Sequence, residues 1–101
     1  MDTRVFPPVH PGEVLAEDFL KPLGITQYAL AQATGLSQTH IGQIIRGQRS
    51  ITPGVGLRLS KALGLTSEYW ANMQARYDIE VALDEAAAAH TLDTVRVLVD
   101  A

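Results

Sequence analysis

No cysteine occurs in the 101 residues. That excludes disulfides and thiolate zinc sites, and a cytoplasmic setting is the expectation. No apolar run approaches the ~20 residues needed to cross a bilayer. Residues 1–11 lack the basic start and apolar centre of a secretory signal. The three histidines, His10, His40 and His90, stand far apart without ligand-like spacing, so no metal site is expected. There is no glycine-rich phosphate loop after a strand and no nucleophile with an identifiable base. Neither a catalytic centre nor a cofactor is expected.

The most informative absence is acidic. Residues 26–61 hold Arg46, Arg49, Arg58 and Lys61 and not one Asp or Glu, a local charge of +4. The first 25 residues sum to −2 and the last 40 to −5, which accounts for the total of −3. A cationic centre between acidic flanks suits a domain that meets a polyanion with one face. The remaining composition is that of an ordinary globular protein, 47% hydrophobic and 19% charged, with length for one domain and one modest core.

Within that cationic stretch, residues 26–47 read TQYALAQATGLSQTHIGQIIRG. Thr26 is placed to cap a short helix with Leu30 and Ala31 on its inner side. Gly35 ends it, since glycine accepts the left-handed conformation of helix ends. Leu36 turns back toward the core, and Ser37 caps a second helix whose Ile41, Ile44 and Ile45 share a face. Gly47 closes that helix. Two capped helices around a glycine turn are the grammar of a helix-turn-helix, in which the second helix enters the DNA major groove.

The outward residues of the second helix fit that task. They are Gln38, Thr39, His40, Gln43 and Arg46. Glutamine can bond adenine in a bidentate way, threonine can touch a thymine methyl, and arginine suits guanine or phosphate. Gln27 and Arg49 are placed for the DNA backbone. A plain helical hairpin with a polar face would share part of this pattern.

Around this unit the expected layout is a flexible arm over 1–9, a helical domain over 10–88 and a tail over 89–101. His10-Pro11-Gly12-Glu13 opens the first helix, with proline near its first position. Val14, Leu15, Phe19 and Leu20 form its buried stripe, and Lys21-Pro22-Leu23-Gly24 is expected to end it, because the residue before proline disfavours helical angles. Thr52-Pro53 opens a helix that closes at Gly64, with Val55, Leu57, Leu59 and Leu63 as its apolar residues. Gly56 is expected to mark a close helix approach.

Thr66 is expected to cap the last helix, from Ser67 to about Ala88. It carries one apolar row through Trp70, Met73, Tyr77 and Val81, and a second through Ile79, Leu83 and Ala86. A helix apolar on two sides is buried on two sides. The second row is therefore expected to form a homodimer contact, or to lie under the tail. Residues 94–99 are β-branched and are expected to be extended.

The central segment resembles the lambda-repressor-like helix-turn-helix, the Cro or XRE type. Gln27 and Gln38 open its two helices, and ALA, G-L-S-Q and I-x-x-I-x-x-G stand in order. HPGEVLAEDFLKPLGIT, G-x-R-x-I-T, R-L-x-x-A-L-G and E-x-W-x-N-x-Q-x-x-Y-D narrow the resemblance to the HigA family of antitoxins, over residues 10–81. The resemblance implies an all-α, five-helix lambda-repressor-like DNA-binding domain, followed here by a short extended C-terminal tail that matches no family motif. It further implies a homodimer that represses its own operon from a palindromic site. The partner protein it implies is a HigB-type toxin, a ribosome-dependent mRNA endonuclease.

By position, Gln27, Ser37, Gln38, Thr39, Gln43, Arg46 and Arg49 match the family's DNA-facing residues. Gly54-Val55-Gly56 departs from the family pattern. A stand-alone regulator without a toxin shares every one of these features. A protein-binding module that has lost DNA contact would carry acids or bulky apolar residues on the second helix, and this chain does not.

Overall fold

The computed structural model describes residues 6–99. Part of the expected arm, residues 1–5, and the last two tail residues lie outside the described residues. Helix α1 covers 11–23, α2 Gln27–Thr34, α3 Gln38–Ile45, α4 Pro53–Leu63 and α5 Tyr69–Ala89, followed by a 3-10 turn at Thr91–Thr94. There is no strand among the described residues.

His10 caps α1, its Nδ1 accepting the Gly12 N–H at 2.9 Å. The helix ends within Lys21–Gly24 as the sequence expects, but Lys21, the residue before Pro22, stays helical. The residues Leu15–Leu20 wind as a π-helix, the Lys21 N–H donates to the Ala16 carbonyl five residues back, and α-helix resumes through Lys21–Leu23. A proline ring collides with the carbonyl four residues earlier, and the wider π turn directly before it relieves that collision. The helix stops at Gly24, which is left-handed.

Leu15, Leu20, Leu30, Ala31, Ile41, Ile44, Ile51, Leu59 and Trp70 form one buried core. Each of the larger side chains contributes roughly 1.5–3 kcal/mol by leaving water. Trp70 is the largest, fully buried, with Phe19 and Tyr69 rings at 5.5 and 5.0 Å. It sits close to α4 because Gly56 has no side chain; a Cβ there would stand 3.2 Å from the Trp70 Cβ. Leu57 departs from the apolar face expected for α4 and is exposed.

Helix α5 begins at Tyr69, two residues later than the sequence suggested. Glu68 occupies the cap position without a side-chain cap bond, and the Tyr69 N–H donates to the Thr66 carbonyl. The first apolar row faces inward, from buried Trp70 to half-buried Met73, Tyr77 and Val81. The opposite face presents Asn72, Ala75, Ile79, Ala82 and Leu83, all exposed, and half-buried Ala86. From Ala82 to Val99 every residue but Ala86 is exposed. This projection accounts for a long axis of 50 Å against 24 and 21 Å. The tail is not a strand. It makes the 3-10 turn and leaves it through an extended Val95, with Val95, Val97, Leu98 and Val99 exposed.

Candidate nucleic-acid interface

The helix-turn-helix is set by three local devices. Thr26 Oγ1 accepts the Ala29 N–H at 3.0 Å and Ser37 Oγ accepts the His40 N–H at 3.0 Å, so both helices start on hydroxyl caps. Between them Gly35 turns the chain with φ of 76°. Arg58 holds the turn from α4, donating from Nη1 to the Thr34 carbonyl at 2.8 Å. Arg58 was counted above with the cationic centre; in the fold it caps the end of α2.

The inner side of α3 is Ile41, Gly42 and Ile44, all buried. Gln38, Thr39 and Arg46 are exposed on it, and His40 and Gln43 are half-buried. Burial, with the Arg49 guanidinium adding to it, holds the His40 imidazole below its ordinary pKa. At neutral pH the ring is therefore uncharged and offers one donor and one acceptor. Arg49 follows the end of α3 by four residues.

The end of α3 is a Schellman turn. Gly47 is left-handed with φ of 74°, its N–H donates to the Ile44 carbonyl, and the Gln48 N–H donates to the Gln43 carbonyl at 2.8 Å. A side chain at Gly47 would strain the backbone, so glycine here fixes the direction in which Gln48 and Arg49 leave the helix. Arg46 Nε donates to Gln48 Oε1 at 3.4 Å. The Arg46 guanidinium and the Gln27 amide both reach over the bare Gly42, within 3.0 and 3.5 Å of where a Cβ would stand.

Gln27, Gln38, Thr39, His40, Gln43, Arg46 and Arg49 therefore lie on or beside one helix, and Ser37 is its cap. Gln48 belongs with them through Arg46 and was passed over in the sequence as loop. Its signal was its place directly after the glycine of the helix end. Neither Arg46 nor Arg49 has an acidic partner within 4 Å among the described residues. No cluster of metal-ligating side chains occurs among those residues.

Residues 17–70 match the helix-turn-helix family model. Antitoxin HigA-1 of Vibrio cholerae is 42% identical over 72 residues, 71% of this chain and 68% of that protein. The chain belongs to the HigA family of helix-turn-helix antitoxins. The fold agrees with HigA-type structures over almost the whole length. Antitoxin GraA in complex with its operator superposes with a TM-score of 0.85 at 32% identity, covering 99% of this chain and 100% of that one. Pseudomonas aeruginosa antitoxin HigA with the higBA promoter gives 0.84 at 29% identity, covering 91% and 99%. No helix among the described residues is long and apolar enough to cross a membrane.

Proposed function

We propose that this chain is a sequence-specific DNA-binding antitoxin that represses its own operon and neutralises a HigB-type mRNA endonuclease toxin in the bacterial cytoplasm. The observation that carries the DNA half is the surface of α3. Gln38, Thr39, Gln43 and Arg46 project from a helix capped at both ends, inside a stretch of chain without a single acid. Base edges in the major groove are read by glutamine and threonine, and an arginine beside them suits the phosphates. The structures of GraA in complex with its operator and of P. aeruginosa HigA with the higBA promoter support the same reading.

The functional unit is a homodimer through the outer face of α5. Ile79 and Leu83 are 60% and 41% exposed, and with Ala75, Ala82 and Ala86 they form a face without charge. A two-fold contact there would set two copies of α3 on half-sites about one helical turn apart, or a multiple of it, in a palindromic operator. Sedimentation equilibrium at micromolar concentration tests this: wild type should be dimeric and Leu83→Asp monomeric, whereas a monomeric wild type removes the dimer.

The antitoxin half is supported by family membership. It is tested by expressing the product of the neighbouring gene with and without this chain. Arrested growth restored by the chain, with co-purification of the two proteins, is expected. If no neighbouring product slows growth or binds, the chain is a stand-alone regulator.

A further inference from the structure

Two buried polar side chains, Ser60 and Gln74, are not used by the interface described above. Gln74, on the core side of α5, is 7% exposed. Its Oε1 accepts the backbone N–H of Ile51 at 2.8 Å, and its Nε2 donates to Asp78 Oδ1 at 2.9 Å, one turn along the same helix. A carboxylate can only accept, so Asp78 fixes which end of the amide faces it. The carbonyl end is left pointing at Ile51. The reversed amide would set N–H against N–H and oxygen against carboxylate.

Ile51 ends the segment that leaves α3. Its side chain is buried in the core, and Thr52 directly after it caps α4. At the other end of the segment, Gly47 rests on the His10 ring, with Cγ 3.7 Å from where a Cβ would stand. Between these anchors lie Gln48, Arg49 and Ser50, all exposed. The backbone tie at Ile51 thus decides how far from α3 Arg49 emerges. Leaving that N–H buried and unbonded carries a desolvation penalty large enough to shift a short loop.

We propose that Gln74 is a positioning residue that holds the Arg49 segment against the end of α3 so that Arg49 meets the DNA. The proposal rests on the DNA-binding reading above. Gln74 does not itself reach the DNA face; it acts through the loop, and Asp78 acts through Gln74.

The test is a double-mutant cycle on operator affinity, using the full chain and fluorescence anisotropy with the duplex upstream of its own gene. Gln74→Leu keeps most of the bulk and removes both polar atoms. It should weaken binding about tenfold, and Arg49→Ala should do much the same. The double variant should bind no more than about twofold worse than Arg49→Ala alone, because a misplaced arginine and an absent one are equivalent. Additive losses, about a hundredfold in all, would overturn the proposal, as would wild-type affinity in Gln74→Leu.

A purely structural role would cost the same in both backgrounds, so the cycle separates the two. If Gln74→Leu does not melt cooperatively, Asp78→Ala at an exposed position replaces it. A loss of about threefold that disappears with Arg49→Ala is expected, and an equal change in both backgrounds overturns the assignment. A scrambled duplex measured alongside keeps the failures distinct. Wild type without preference sinks the DNA-binding reading itself, while a clear preference with an additive cycle sinks Gln74 alone.

Discussion

Gly12 and Ile44 are packed backbone to backbone. A Cβ at Gly12 would overlap the carbonyl oxygen of Ile44, near the end of the recognition helix. The N-terminal turn of α1 is therefore the seat on which α3 rests, and Pro11 and Gly12 are buried for that reason. Gly12→Ala cannot be absorbed by a flexible side chain, because the neighbour is backbone. It should lower unfolding stability by about 1–3 kcal/mol, read by urea denaturation, and weaken operator binding among the molecules that remain folded.

Arg46 and Arg49 are expected to act on the DNA backbone. Replacing either by alanine should weaken binding to operator and random duplex alike, and should lower the slope of log affinity against log salt by about 1. Anisotropy titrations at four salt concentrations measure this. An unchanged slope for both variants would take them off the phosphates.

Gln38 and Gln43 are expected to behave differently. Their replacement by alanine should cost about 1–3 kcal/mol on the operator and little on random DNA, since the loss is one of base discrimination. Competition between matched and single-base-changed duplexes would locate the bases. Equal losses on operator and random DNA would remove these glutamines as readers.

Stability should depend on pH through His10. Burial lowers its pKa, and Asp78 opposes the shift only partly. The native state thus favours the neutral ring, and only that ring can accept the Gly12 N–H at Nδ1. The unfolded chain binds the proton more readily, so stability is fully present above about pH 6.5 and declines as pH falls through the depressed native pKa. His40 adds in the same direction. His10→Asn preserves a cap acceptor and removes this titration. Denaturation at pH 5.5 and 7.5 should show a smaller pH difference for His10→Asn than for wild type.

How much of this was readable from the residues depends on the range of the forces involved. The caps Thr26, Ser37 and Thr52 and the glycines at 35, 47 and 64 act within a few residues, so the sequence located the six boundaries of α2, α3 and α4 closely. The acid-free stretch marks the cationic segment from composition alone. The π-helix before Pro22 was invisible, because proline normally ends a helix and only the packing of Leu15 and Leu20 in the core rewards carrying it onward. The roles of Arg58 and Gln74 are not legible in the sequence for a related reason. Their partners, Thr34 and Ile51, stand 24 and 23 residues away, and no periodicity links such pairs. The tail carries a strand-like composition, yet composition alone supplies no neighbour to pair with.

The most direct test of the account is the affinity of this chain for the DNA upstream of its own gene, beside a scrambled duplex of equal length, across a range of salt. Specific binders of this kind commonly exceed their non-specific affinity by at least about a thousandfold. The prediction is tight binding to the native duplex that falls steeply with salt, and a scramble weaker by about that ratio. Equal affinity for the two duplexes at every salt concentration would contradict the assignment of α3 as a reader of sequence.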